Sequence, residues 1–251
     1  MTLNERKVVL NKNNCKGKLI VVEGIDGSGK STQIDLLSKW LQGQGRSVYF
    51  SEWNSSDLVK STTRLAKAEK AFTPTTFSLL QATDFSDRWE NYIFPMLQAG
   101  AIVLADRYAF TAFARDVSRG VDPIWVRDLY SFALQPDLVL YFRVPLDSAV
   151  ERILSARAKI KYYEAGMDLG LSDNKVTSFR LFQQKIIDEY DKMVDEFNFT
   201  VVDGTLPVQQ QQKILRKYVR KTLIGWKGLP NPNARPSHRH IEAPKTQGEP
   251  S

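Results

Sequence analysis

The stretch from Lys18 to Thr32, KLIVVEGIDGSGKST, limits the fold more than any other part of the chain. Its first half is a run of apolar, mostly β-branched residues without alternation, the pattern of a strand buried on both faces. Its second half, Gly24, Ile25, Asp26, Gly27, Ser28, Gly29, Lys30, Ser31 and Thr32, has the spacing G-x-x-x-x-G-K-S and runs into a helical pattern through Gln33 to Leu37. Glycines at this spacing let backbone N–H groups converge on one anion. The helix after them adds the positive end of its dipole to the same point. Lys30 reaches the β- and γ-phosphates, and the Ser31 hydroxyl ligates the magnesium that accompanies them. A turn that merely joined strand to helix would need neither residue.

Histidine narrows the chemistry. The chain holds two, His238 and His240, both in a C-terminal stretch that carries five of its eleven prolines. The globular part therefore has no imidazole for a general base or a metal site. Phosphoryl transfer onto an already anionic phosphate runs on positioning and charge neutralisation, so it fits such a chain. The single Cys15 allows no internal disulfide and no thiolate cage, which fits a reducing, cytoplasmic setting. No apolar run is long enough to span a bilayer. The net charge of +7 suits a phosphate-handling enzyme as well as a nucleic-acid binder, and a nucleic-acid partner is not expected from it.

Along the chain, residues 1–16 read as a flexible extension. Strand patterns at 46–51, 101–105, 137–144 and 199–202 alternate with helical ones at 57–70, 74–97, 110–118, 123–134, 146–157, 173–197 and 207–223. Alternation of this kind predicts a five-stranded parallel sheet with helices on both faces, a P-loop NTPase-type three-layer α/β sandwich. Asp106 and Arg107 follow the third strand, at the end where such sheets bind ligands. Gln81, Asp84, Arg88 and Asn91 recur along one helical stripe. Asp173 is the expected cap of the 173–197 helix. The Pro-rich residues 225–251 read as a tail.

The chain resembles the thymidylate kinase family of P-loop nucleoside monophosphate kinases from about Lys18 to Leu223. Four landmarks carry the resemblance in order: Glu23 to Thr32, Ser86-Asp87-Arg88-Trp89, Asp106-Arg107-Tyr108-Ala109-Phe110-Thr111, and Val202-Asp203-Gly204-Thr205. The resemblance implies transfer of the γ-phosphoryl group of ATP, with Mg2+, to dTMP or a related nucleoside monophosphate. It implies Lys30, Asp106, Arg107 and a lid arginine as catalytic residues, with Ser31 and Asp106 near the metal. Asp203 and Thr205 would pack against the donor adenine. Asp26, Trp53, Asp84, Phe85, Arg88, Arg107, Thr111 and Arg115 would surround the acceptor. The lid would span 152–171, with Arg157 the first choice of catalytic cation ahead of Arg152, Lys159 and Lys161. Nucleotides are the partners implied, and a homodimer is compatible with the family.

Three departures bear on the acceptor. Asp84 stands where the family has an aromatic that stacks on thymine, with Phe85 one place later. Arg115 replaces another pocket aromatic. Ser51-Glu52-Trp53-Asn54 lacks the expected acceptor-phosphate arginine, and Trp53 offers a stacking face instead. An unpaired charge in an apolar base pocket is costly. There are two resolutions: Asp84 and Arg115 pair across the pocket, or the acceptor is not dTMP. Two other functions also fit the residues. One is a kinase of a deoxynucleoside or other small acceptor, with Glu23 or Asp106 as base. The other is a nucleotide-binding module without turnover.

Overall fold

The computed structural model describes residues 15–156 and 160–231. Five strands, β1 (Lys18–Glu23), β2 (Val48–Glu52), β3 (Ile102–Asp106), β4 (Leu138–Arg143) and β5 (Thr200–Asp203), form one all-parallel sheet in the order β2-β3-β1-β4-β5. The strand before the glycine-rich loop is thus central, as its unbroken apolar run requires. Its residues divide by parity. Leu19 and Val21 join a core on one face, while Ile20 and Val22 join a second core on the other. Helices α1 (Lys30–Gly43) and α9 (Val208–Thr222) cover the second face through Ile34, Leu37, Leu41, Leu215 and Val219. Each such side chain removed from water stabilises the fold by about 1.5–3 kcal/mol.

The first face carries α3 (Pro74–Arg88), α4 (Phe94–Ala99), α5 (Ala109–Val117) and α8 (Lys175–Glu196). The stripe of α8 buries Phe179, Phe182, Ile186, Tyr190 and Met193, as its 3.6-residue period predicts. Its cap is Asn174 rather than Asp173: the Asn174 side chain accepts from the N–H of Val176 and Thr177 at 3.0 Å each. The single helix expected at 74–97 is divided. A π turn over Trp89–Ile93 separates α3 from α4, just ahead of Pro95, which has no N–H to give to the carbonyl four residues back. Asn91 is consequently exposed and donates to Asp87 instead of continuing the buried stripe. Helix α2 (Asp57–Ala68) follows β2, and α6 (Pro123–Leu129) ends earlier than expected as Tyr130 turns into the core. Helix α7 (Leu146–Ala156) packs on α8.

The end of the chain differs from the sequence expectation. Residues 225–231, expected in a free tail, return to the body. The indole Nε1 of Trp226 donates to the Lys16 carbonyl at 2.6 Å, and the Arg46 guanidinium lies 5.3 Å from the ring centre. Leu229 and Asn231 donate backbone N–H groups to the carbonyls of Gly100 (2.7 Å) and Gly45 (2.8 Å), closing a small antiparallel bridge between Arg46 and Pro230. A half-buried tryptophan with a satisfied N–H supplies the apolar contact that proline-rich composition lacks. Residues 1–14 and 232–251, including both histidines, lie outside the described residues, as do Arg157 and Lys159.

Candidate active site

Three strands end side by side, and the site is built from the segment that leaves each one. Glu52 lies in register with Asp106, and Asp106 with Val22, so the segments after β2, β3 and β1 open on one edge of the sheet. After β1 comes the loop Gly24 to Thr32. Gly24 has φ 140°, and a Cβ there would sit 2.6 Å from the Phe142 carbonyl oxygen; at Gly27, φ is 79° and a Cβ would sit 2.5 Å from that of Ala149. Only glycine fits either place.

The loop is cationic at its heart. Lys30 is buried, its ammonium donating to the carbonyls of Gly24 and Ile25 at 2.8 Å each and to Ser28 Oγ at 3.3 Å. Its pKa is pushed down to about 8, first by burial and then by the charge of Arg107, against the pull of Asp106, Asp26 and Glu23. Arg107 comes from the end of β3 with φ 73°, a left-handed conformation uncommon for a residue that carries a Cβ and found often at functional positions. Its Nη1 donates to the same Gly24 carbonyl at 3.3 Å, and its Nη2 pairs with Asp26. Burial lowers the Arg107 pKa, but Asp26, Tyr190, Asp106 and Glu23 outweigh it, so the guanidinium is held more firmly charged than usual. Two cations, one after β1 and one after β3, thus meet at one carbonyl.

Glu23 is spent on architecture. Its carboxylate accepts from the Tyr108 N–H (2.8 Å), the Thr111 hydroxyl (2.8 Å) and the Tyr190 hydroxyl (2.7 Å), and burial pushes its pKa up against these contacts. A carboxylate so committed is not poised to deprotonate a sugar hydroxyl, so of the two bases expected for a nucleoside acceptor Glu23 is spent. Asp106 has the opposite character: its Oδ1 is buried without a hydrogen-bond partner among the described residues. Ser31 is exposed at the start of α1.

Beyond Arg107 the site opens into a cavity of about 650 Å³, with Asp26, Trp53, Thr111 and Arg115 on its walls. Asp84 and Arg88 lie behind this wall and are almost fully buried. Arg88 Nε donates to Asp84 Oδ2 at 2.9 Å and its Nη1 to Ser51 Oγ at 2.9 Å, while Asp84 also takes the N–H groups of Asn54 (3.2 Å) and Ser56 (2.9 Å). Arg115 pairs instead with the buried Asp116 at 2.8 Å. The expected pairing of Asp84 with Arg115 across the pocket does not form, because each has its own counter-ion in Arg88 and Asp116. Neither Asp84 nor Arg115 is therefore an uncompensated charge. Phe85, expected on the acceptor, is buried in the core against Trp53, Tyr108 and Tyr130. The Thr111 hydroxyl faces Glu23 and Tyr190.

Several wall residues are not among those expected from sequence: Phe77, Arg119, Tyr163, Tyr190 and Lys67. Phe77 was findable, since it lies one turn before Gln81 on the stripe that continues to Asp84 and Arg88. Tyr190 was not, because its core stripe gives no hint that one end meets the site. On the donor side, the Arg152 guanidinium donates to the carbonyls of Gly27 (3.3 Å) and Gly204 (3.0 Å). Asp203 accepts from the Thr205 N–H and hydroxyl, and both line an open recess with Arg143 and Pro145. Arg157 and Lys159 lie outside the described residues, and Lys161 stands on the acceptor cavity instead of the donor loop.

Comparison with known proteins agrees with this geometry. The family model described as thymidylate kinase matches residues 22–214. The chain is 46% identical over 213 residues to the probable thymidylate kinase 2 of Saccharolobus solfataricus, covering 83% of this chain and all of that one. It is 29% identical over 217 residues to the probable thymidylate kinase of Pyrococcus horikoshii, covering 84% and 99%. With that of Thermococcus kodakarensis it shares 33% over 152 residues, covering 57% and 74%.

Proposed function

Because this chain belongs to the thymidylate kinase family, whose reaction is the ATP-dependent phosphorylation of dTMP to dTDP, we propose that Gly24 to Thr32 grip the donor phosphates while the cavity beyond Arg107 holds dTMP. The observation that carries this reading is the convergence of Lys30 and Arg107 on the Gly24 carbonyl. A phosphoryl group passing between donor and acceptor would lie between these two cations. An oxygen of the dTMP phosphate attacks the γ-phosphorus, the bond from γ-phosphorus to the β-bridging oxygen breaks, and ADP leaves. The attacking oxygen is already anionic, so no general base is needed.

Residue roles follow from position. Lys30 neutralises the β/γ oxygens. Arg107, preorganised by Asp26, holds the acceptor phosphate and meets the charge that develops between the two nucleotides. Arg152 is the described cation nearest the loop from the lid side, and Arg157 shares the candidacy from outside the described residues. Trp53 and Phe77 offer flat faces to the acceptor base. Asp203 to Thr205 form the wall beside the donor base. The residues suit a magnesium ion that arrives with ATP: Ser31 is open to it and Asp106 has an oxygen unused. No group of three or more acidic, histidine or cysteine side chains among the described residues would hold a metal alone, and substrate phosphates supply most ligands to an ion of this kind. Bound with ATP, the ion neutralises phosphate charge.

ADP release measured over dTMP, other nucleoside monophosphates and nucleosides tests the assignment. Turnover should be greatest with dTMP and absent with thymidine. Preferred phosphorylation of a nucleoside would overturn it.

A further inference from the structure

The positive charge of this chain is not spread evenly along it. Residues 208–227, which are α9 and the turn after it, hold six Lys and Arg and no Asp or Glu. The rest of the chain holds twenty-nine Lys and Arg against 28 Asp and Glu, so nearly all of the net +7 belongs to this one segment. Lys213, Arg216, Lys217, Arg220 and Lys221 form a stripe along α9 opposite the buried Leu215 and Val219. From Lys213 to Lys221 the stripe is about 12 Å long. Among the described residues none of these cations forms an ion pair. Its two arginines are nonetheless held in place. Arg216 Nε donates to Gln212 Oε1 at 3.2 Å, and the guanidinium groups of Arg216 and Arg220 lie 5.4 and 5.2 Å from the ring centre of Trp40 on α1. A guanidinium fixed on an indole keeps the N–H groups at its edge for an incoming acceptor. Arg46, on the Trp226 ring, and the exposed Lys227 continue the charge toward the amino-terminal edge of the sheet.

We propose that this face of α9 binds duplex DNA through the phosphate backbone, without reading its sequence. The site lies apart from the nucleotide cavity: α9 covers one face of the sheet, while α5 and α8, which line the cavity, cover the other. A duplex carries one negative charge per about 1.7 Å of axis, so several phosphates lie within reach of the stripe. A single strand is gripped by open aromatic faces on which its bases stack. Here Trp40 and Trp226 pack on the core and carry Arg216, Arg220 and Arg46 instead. A membrane surface asks for an apolar helix face to insert, and that of α9 is buried in the core through Leu215 and Val219. Between duplexes, DNA is the one made of deoxynucleotides, the class to which the family's product dTDP belongs.

Fluorescence anisotropy of a labelled DNA duplex of about 20 base pairs, titrated with the full chain, tests this. The dissociation constant should be on the order of 10 µM at about 0.1 M salt, and log K should fall with log salt at a slope of about −3 to −4, as for about four neutralised phosphates. The triple variant Lys217→Gln/Arg220→Gln/Lys221→Gln should weaken binding at least about tenfold and flatten the slope by about 2 to 3. Its kcat/KM for dTMP should stay within about twofold, since none of the three reaches the nucleotides. Lys213→Gln/Lys217→Gln leaves the Trp40 contacts in place and should flatten the slope by about 1 to 2, which keeps the test open if the triple variant melts early. Saturating ATP and dTMP should leave duplex binding unchanged. Competition by either would place the duplex on the cations of the nucleotide site and overturn the proposal. No binding at about 0.05 M salt, or a slope unaltered in both variants, would overturn it too. So would a wild-type chain that sediments with phosphatidylglycerol vesicles but leaves the duplex free, or one that prefers duplex RNA about tenfold or more.

Discussion

The two ends of one cavity are built on opposite plans. At the phosphate end, a single continuous loop supplies the nest, and its glycines are set by backbone geometry at Gly24 and Gly27. At the end proposed for the base, Trp53, Phe77, Arg115 and Tyr163 come from four separate segments, and Arg88, Arg115 and Arg119 pair with Asp84, Asp116 and Asp168. A phosphate has the same shape in every nucleotide, so a fixed backbone cradle serves it. A base is recognised by its edges, so side chains can be exchanged as long as their partners change with them. Where the resemblance implies two pocket aromatics, Asp84 and Arg115 stand with Arg88 and Asp116 beside them as counter-ions.

The contrast can be broken most sharply at Lys30. Lys30→Ala should reduce kcat on the order of 10³-fold or more, since the transferring group loses its principal cation. The melting temperature should hold or rise, because the ammonium is buried at a cost. Near-normal turnover would mean that the loop does not hold the donor.

At the base end the corresponding change should strike stability instead. Asp84→Ala leaves the Arg88 guanidinium buried and uncompensated, at a cost of about 3–5 kcal/mol. Chemical denaturation checks this, and a loss below about 1 kcal/mol would show that water or a rearranged partner reaches Arg88. The double variant Asp84→Phe/Arg88→Met, which removes both charges, should recover much of the loss.

The Lys30 pKa gives the comparison a pH axis. Its folded value of about 8 lies below the 10.5 of an ordinary lysine, so the native state binds fewer protons than the unfolded state between these values. Stability should therefore rise with pH from about 8 to 10.5 through this group, and be insensitive to it below 8. Activity should move the other way. In the free enzyme kcat/KM for ATP should fall up to about tenfold per pH unit above about 8, as the ammonium is lost. Lys30→Arg should remove that limb of the profile whatever its absolute rate.

The smallest effect is expected where neither end is touched. Truncation after Ile224 removes the Trp226 contacts with Lys16 and Arg46 and should lower stability by about 1–2 kcal/mol. The kcat should stay within about twofold, since the strap binds the amino-terminal edge of the sheet, away from the site. A fall in kcat with unchanged melting would show that residues beyond 224 reach the nucleotides.

By itself, the sequence determined the sheet, the phosphate loop and the cation that follows β3. Unbroken apolar runs leave a strand no exposed face, and a nest of N–H groups has few spellings, so Gly24 to Ser31 and Asp106-Arg107 are legible without coordinates. The helices were legible as segments, but the π turn at Trp89–Ile93 was not, because a proline within a helical pattern does not say how the lost hydrogen bond is absorbed. Only the tertiary structure decided the base end. Phe85 and Asp84 are adjacent in sequence, yet one belongs to the core and the other to a buried ion pair, a choice made by how α3 rolls against β2 and α5. Glu23 reads as an available base in the sequence, whereas in the fold Tyr108, Thr111 and Tyr190 occupy its oxygens. Pairing of charges across elements depends on separations of a few ångströms between residues dozens of positions apart, and no local pattern in the chain records them.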